Sequence, residues 1–234
     1  MVITERGLWC VVPAAGRGVR FGGDVPKQYL MLGAKTLLMC TLERLAAQRR
    51  IAGLLVALAR DDARFPTIDR IGDKPVATTA GGATRADSVL NGLQALRDLV
   101  GDEDFVLVHD AARPCVRGAD IDRLIERAGA AGGGLLAAPL SDTLKLADRD
   151  DRVVSTESRE LRWRALTPQM FRRGELIAAL QSARAAGVSV TDEAMAMERA
   201  GHRPLLVAGA ESNIKVTTPA ELALAEFILA REFA

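Results

Sequence analysis

The run Leu8-Trp-Cys-Val-Val-Pro13 constrains the fold most, because it is apolar throughout and opens directly into glycines and arginines. A strand with one wet face alternates polar and apolar residues, whereas a continuous run needs cover on both faces. Runs of the same kind recur at Gly53-Leu-Leu-Val-Ala-Leu58, Phe105-Val-Leu-Val-His109 and Gly134-Leu-Leu-Ala-Ala138, with a weaker one at Pro75-Val-Ala-Thr-Thr79. Stretches of helical spacing lie between them. Leu37, Thr41, Leu45 and Gln48 mark turns over 36–48, and Val89, Leu93, Leu96 and Val100 do so over 84–100. Residues 118–131 read as a third helix. This alternation predicts an α/β chain with an open, mostly parallel, Rossmann-like sheet and helices on both faces. Ligands of such sheets bind beyond the carboxyl ends of the strands.

The rhythm breaks at 141–167. Thr-Leu-Lys-Leu, the turn Asp148-Arg-Asp-Asp151, Val153-Val154 and Leu161-Arg-Trp-Arg-Ala-Leu166 suggest a long hairpin with too few apolar groups to fold alone. Such an arm, at about 141–165, needs something to lie against, and a second subunit meets that need, with Trp163 and Val153-Val154 as anchors. A surface loop is the plainer alternative. Helices follow near 173–186, 192–200 and 219–232. No repeat or linker divides the chain, so one domain spanning 1–234 carries the arm.

Aromatic residues make up only 4% of the 234, so the core must be aliphatic. The net charge of +1 provides no field to attract nucleic acid, and any pull on an anionic ligand must be local. No stretch approaches the roughly 20 apolar residues of a membrane span, and the N-terminal residues lack a secretory pattern. Cys10, Cys40 and Cys115 have no Cys-x-x-Cys spacing, which argues against zinc and for reduced thiols in the cytoplasm.

The segment from Pro13 to Lys27, Pro-Ala-Ala-Gly-Arg-Gly-Val-Arg-Phe-Gly-Gly-Asp-Val-Pro-Lys, carries the clearest chemistry. Small residues let its backbone approach a ligand and aim N–H groups at phosphate oxygens, while Arg17, Arg20 and Lys27 add mobile positive charge. No Gly-x-x-x-x-Gly-Lys-Ser/Thr run is present, and Phe21 stands where a dinucleotide fingerprint needs its third glycine. Read alone, the segment is equally compatible with a solvated loop.

Other segments narrow the reading. Pro13-Ala-Ala-Gly-x-Gly-x-Arg20 with Pro26-Lys-Gln-Tyr29 resembles the signature of the sugar-phosphate nucleotidyltransferases. Arg85-Ala-Asp-Ser-Val89, Val108-His-Asp-Ala-Ala-Arg-Pro114, Asp142-Thr143, Leu166-Thr-Pro-Gln169, Thr191-Asp-Glu-Ala194 and Asn213-Ile-Lys-Val216 follow in order. Together they resemble the 2-C-methyl-D-erythritol 4-phosphate cytidylyltransferase family over nearly the whole chain. The resemblance implies a nucleotidyltransferase fold and in-line attack of a polyol phosphate on the α-phosphorus of CTP, without a covalent enzyme intermediate.

By the same resemblance, Arg20, Lys27 and Lys215 are the catalytic cations. Pro13, Ala14, Ala15, Gly16, Gly18, Gly82, Ala83, Ser88 and Ala111 hold the nucleotide, the cytosine being read by backbone groups with the Ser88 hydroxyl assisting. Asp110, Arg113, Thr143, Thr167 and Thr191 surround the polyol phosphate, and Arg159 reaches from the arm into a partner's site in a homodimer. Mg²⁺ is the expected cofactor, held mainly by the CTP phosphates with Asp110 as a possible ligand. Neither nucleic acid nor membrane is an expected partner. The family's acidic residues are replaced by Ala83 and by Ser212, the latter preceded by Glu211.

Blander roles compete at several positions. Asp110 could cap a turn, His109 reads as a hydrogen-bonded core residue and His202 as a surface one. Arg49-Arg50 and Arg172-Arg173 read as solvated helix ends, and Met195 and Met197 as core filler. Two functional alternatives stay open on sequence: a cytidylyltransferase for another polyol phosphate such as ribitol 5-phosphate, and a non-catalytic nucleotide-binding subunit. At 234 residues, no second catalytic domain is expected.

Overall fold

The computed structural model describes residues 7–16 and 25–232. In chain order its elements begin with β1 (Leu8–Pro13), a 3₁₀ turn Lys27–Tyr29, the small hairpin β2 (Met31–Leu32) and β3 (Lys35–Thr36), and α1 (Leu37–Ala46). Next come β4 (Ile51–Leu58), β5 (Arg70–Ile71), β6 (Lys74–Ala80), α2 (Arg85–Ala95), β7 (Phe105–Val108), α3 (Gly118–Ala131) and β8 (Gly134–Pro139). The chain continues through β9 (Leu144–Ala147), β10 (Val153–Glu157), β11 (Trp163–Arg172), α4 (Arg173–Ala185), α5 (Glu193–Arg199), β12 (Leu205–Ala208) and α6 (Pro219–Glu232).

The central sheet has the order β12-β8-β11-β7-β1-β4-β6-β5. The run β7-β1-β4-β6 is parallel, and so is β12 with β8; β11 and the edge strand β5 run antiparallel to their neighbours. This is the mostly parallel α/β sheet that the apolar runs predict. Cys10 and Val12 of β1 pack with Leu38, Leu42, Ile121 and Leu124 of α1 and α3. Their neighbours Trp9 and Val11 pack on the other face with Val89, Leu93, Leu176 and Leu180 of α2 and α4. A continuous apolar strand is thus explained by cover on both sides. On the second face Gly92 lets α2 lie close: a Cβ there would stand 2.6 Å from Val11 Cγ1.

Several boundaries differ from the sequence pattern for identifiable reasons. Leu96 and Val100 continue the apolar spacing of α2, yet the helix ends at Ala95 and both residues are buried from a terminal turn, Val100 N–H donating to Leu96 O at 2.8 Å. Their spacing records burial, not a continued helix. The strands β2, β3 and β5, two residues each, are too short to carry a periodic signal. Within the expected arm, β9 and β10 form a separate antiparallel ribbon. Trp163, Arg164 and Ala165, however, already pair with Pro139, Ala138 and Ala137 of β8 and so belong to the central sheet. The ribbon leaves Leu146, Val153 and Val154 at 50–62% exposure.

Arg172 and Arg173 correct the expectation of solvated helix ends. The Arg172 guanidinium lies over the Phe105 ring, 4.9 Å from its centroid. Arg173 is 7% exposed; its Nε donates to Leu93 O at 2.9 Å, and Nη1 pairs with Asp102. It therefore clamps the end of α2 to the start of α4. Arg173→Met is expected to strand Leu93 O and lower unfolding free energy by about 1–3 kcal/mol, measured by urea titration, with turnover unchanged.

Candidate active site

The cleft opens beyond the carboxyl ends of β1, β6 and β7. It is lined by Pro13, Ala14, Ala15 and Gly16 after β1, by Gly82, Ala83, Thr84, Arg85 and Ser88 at the start of α2, and by Asp110, Ala111 and Ala112 after β7; Lys27, Gln28 and Lys215 complete it. Of the residues expected to hold nucleotide or supply charge, Arg17, Gly18 and Arg20 lie outside the described residues. Ser88 and the remaining nucleotide-binding positions gather here, together with Lys27, Lys215 and Asp110.

The backbone of this cleft is already partly committed. Ala14 N–H donates to Ala57 O at 2.8 Å, and Gly82 N–H donates to Ser88 Oγ at 3.1 Å. At Ala14 and Gly82 it is therefore the carbonyls that are left to meet a base, and Ala14 O already accepts from Gln28 Nε2 at 2.8 Å. The Ser88 hydroxyl donates to Thr84 O at 2.9 Å, so its proton is spent. Ser88 therefore shapes the Gly82–Ala83 turn, where the sequence had it assist in reading cytosine. Close packing requires Gly82 as well, since a Cβ there would meet Asp87 Cβ at 2.3 Å. Thr84 caps α2 in a reciprocal capping box with Asp87, which points the positive end of the helix at the cleft.

Asp110 is the electrostatic centre. It is 6% exposed and receives three cations: Arg85 Nε on Oδ1 at 2.9 Å, and Lys215 Nζ at 2.8 Å and Arg113 Nε at 3.4 Å on Oδ2. Burial alone would push its pKa up, but the charges of Arg85, Lys215 and Arg113 together hold it well below the usual carboxylate range. Arg85 also forks onto Glu193, Nη1 to Oε1 at 2.6 Å and Nη2 to Oε2 at 3.0 Å. Arg85 and Glu193 lie in the motifs at 85–89 and 191–194, but nothing in either motif assigns them a role. A salt bridge across 108 positions leaves no local trace.

Several contacts hold Lys215 in place. Val216 N–H donates to Ala112 O at 2.8 Å, Arg113 Nη1 to Asn213 O at 2.7 Å, and Asn213 Nδ2 to Thr167 O at 2.7 Å. Lys27 Nζ reaches Val216 O at 3.3 Å, bringing the second lysine to the same segment.

His109 is fully buried and bridges two loops. Its Nε2 lies 3.0 Å from Arg113 O, which can only accept, so Nε2 carries the proton. Nδ1 then accepts from Thr167 Oγ1 at 3.0 Å, and Thr167 Oγ1 accepts from Asp110 N–H at 3.1 Å. Desolvation by burial lowers the His109 pKa to about 4. Both His109 and Thr167 thus serve to orient the Asp110 loop. Thr167, expected beside the polyol, is 4% exposed with its proton committed inward.

The other expected substrate residues are dispersed. Arg113 is buried beneath the cleft, 8% exposed. Thr143 is exposed at the foot of the ribbon. Arg159 donates to Ser141 O in its own chain, and Thr191 Oγ1 donates to Met195 Sδ at 3.6 Å. Thr191 lines a neighbouring depression that shares Thr84 and Arg85 with the cleft. Among the described residues no three His, Cys, Asp or Glu side chains are grouped to hold a metal ion. Asp110 does not fit the suggested role of metal ligand, because cations occupy both its oxygens. Among the described residues no helix is long and apolar enough to cross a membrane.

Comparison with known proteins agrees with this geometry. The profile of the family described as 2-C-methyl-D-erythritol 4-phosphate cytidylyltransferase (IspD) matches residues 8–231. A protein of that name from Xanthomonas oryzae pv. oryzae (strain PXO99A) is 60% identical over 225 residues, covering 96% of this chain and 83% of its own. The one from Stenotrophomonas maltophilia (strain K279a) is 57% identical over 225 residues, covering 96% and 97% respectively. The crystal structure of the Francisella tularensis 2-C-methyl-D-erythritol 4-phosphate cytidylyltransferase superimposes with a TM-score of 0.82 at 33% identity, covering 95% of this chain and 99% of that one.

The buried neutral His109 has a measurable consequence. Its folded pKa lies below the unfolded value of about 6.5, so the unfolded chain binds the extra proton between those two values. Stability should be fully present above about pH 6.5 and fall towards about pH 4, this residue contributing up to about 3 kcal/mol. The loss of Asp110's pairing comes at still lower pH. His109→Gln should flatten the dependence between pH 6.5 and 4, as followed by urea unfolding at stepped pH.

Proposed function

The chain belongs to the 2-C-methyl-D-erythritol 4-phosphate cytidylyltransferase family, and from that membership we propose how its residues divide the reaction. The enzyme transfers the cytidylyl group of CTP to 2-C-methyl-D-erythritol 4-phosphate, giving 4-diphosphocytidyl-2-C-methyl-D-erythritol and pyrophosphate for isoprenoid precursor biosynthesis. The observation that carries the residue roles is the convergence of Lys27 and Lys215 on one cleft with a backbone pocket for the base. Substrate phosphate is already an ionised nucleophile, so positioning and charge stabilisation are what the protein must supply.

In this reading the carbonyls of Ala14 and Gly82 accept from the cytosine amine, and the capped start of α2 faces the nucleotide. Lys27 and Lys215 neutralise the oxygens around the α-phosphorus, and Arg20 joins them from the glycine-rich segment. Asp110 orients Lys215, and Arg113 supports both from below. Mg²⁺ arrives as the counter-ion of the CTP phosphates. The polyol phosphate enters beside Asp110 and Thr191.

The exposed ribbon supports a homodimer. A two-stranded ribbon with Val153 at 62% and Val154 at 61% exposure has no core of its own. In a dimer it lies against a second copy, and Thr143 and Arg159 at its foot reach the neighbouring cleft. The three free thiols fit a cytoplasmic enzyme.

Pyrophosphate release from Mg·CTP and 2-C-methyl-D-erythritol 4-phosphate tests these assignments. Lys27→Ala and Lys215→Ala are each expected to lower kcat by about 10²–10³, typical of losing one charge-stabilising donor; rates within a few-fold of wild type would remove that role. The double substitution Val153→Asp with Val154→Asp should convert a dimer into a monomer in light scattering and reduce turnover. A variant that stays dimeric would reject the ribbon as the contact.

A further inference from the structure

The site holds one ion pair that the reaction as described does not use. Glu193 begins α5, its side chain is 1% exposed, and both its oxygens are taken by the Arg85 fork. It lies behind the cleft wall, which Arg85 lines and Glu193 does not. A buried ion pair of this kind yields little net stability compared with packed apolar groups, so stability alone is a weak reason for it.

The connections suggest a different reason. Arg85 has two parallel donors and a separate Nε; the paired donors go to Glu193 and only Nε goes to Asp110 Oδ1. Asp110 Oδ2 therefore stays clear of the fork and holds Lys215 at 2.8 Å, with Arg113 Nε its longer contact at 3.4 Å. Without the charge of Glu193, the guanidinium has one carboxylate within reach, and its fork is drawn to both oxygens of Asp110, the preferred bidentate geometry. Lys215 then loses its anchor. The alternating series Glu193–Arg85–Asp110–Lys215 links α5, α2, the loop after β7 and the segment before α6, each charge fixing the next.

We propose that Glu193 is a positioning residue for cytidylyl transfer: by occupying the Arg85 fork it reserves Asp110 Oδ2 for Lys215 and so sets where that lysine meets the α-phosphate. The inference rests on the catalytic role given to Lys215 above. Arg85 in turn acts as a strut between the two carboxylates, with Nε on Asp110 and its fork on Glu193.

The test is a double-mutant cycle on the full-length enzyme, read as kcat and KM for CTP, with folding checked by thermal unfolding. Glu193→Gln preserves volume and removes the charge. It should lower kcat by about 10- to 100-fold, the scale of a misplaced catalytic group, with KM for CTP changed much less. In the Lys215→Ala background the same substitution should change kcat by less than about twofold, because the group it positions is gone. Glu193→Asp, which keeps the charge on a shorter arm, should recover part of the loss. Full kcat in Glu193→Gln, or an equal loss with and without Lys215, overturns the proposal; so does a folded variant whose defect lies wholly in KM. If Lys215→Ala itself retains wild-type kcat, the catalytic assignment of Lys215 fails instead, which keeps the two failures apart. Should Glu193→Gln unfold, Arg85→Lys, which retains the charge but loses the fork, carries the same comparison.

Discussion

The carboxylate of Asp110 is nearly out of water and still charged, and the rest of the site follows from how that charge is kept. Taking a carboxylate from water costs several kcal/mol unless partners replace its solvation. Here the partners are Arg85 from the first turn of α2, Arg113 three residues along the same loop, and Lys215 from the segment before α6. Two of these partners are themselves tied down, Arg85 by Glu193 and Arg113 by Asn213 O. The anion thus acts as the fixed point on which cations from separate elements converge, and its burial strengthens its attraction for them.

The sheet makes that convergence possible. Parallel strands bring the ends of β1, β6 and β7 to one edge, so the segment after Pro13, the Gly82–Ala83 turn and the Asp110 loop meet there. The antiparallel β11 contributes something a parallel strand could not. Gln169 pairs with Val108, so the start of β11, not its end, lies beside the Asp110 loop and delivers Thr167 to Asp110 N–H and His109. A chain of net charge +1 can in this way present a local excess of cations: Arg85, Arg113, Lys27 and Lys215 outnumber the carboxylates Asp110 and Glu193.

Much of this was legible beforehand. The strands at Leu8–Pro13 and Phe105–Val108 and the helix at Gly118–Ala131 follow from runs and periods that depend only on near neighbours. The site was legible to the extent that its residues sit in segments with a recognisable order. Ser88 lies in the cleft lining and Thr167 beside the Asp110 loop, but both donate their hydroxyl protons to other groups of the protein, which no local pattern discloses. Arg173 was misread as solvated because a basic residue at a helix start looks the same in sequence whether or not a carbonyl from another helix lies above it.

By itself the sequence determined the α/β alternation and the family, because these depend on local periodicity and on the order of short motifs. Only the tertiary structure decided which polar groups remain available for chemistry. That follows from hydrogen-bond accounting across the fold: Gly82 N–H, the Ser88 proton and the Arg85 fork are each spent on partners that close packing brings near. A residue type states what a group can donate or accept, and its neighbours in space determine what it has left to give.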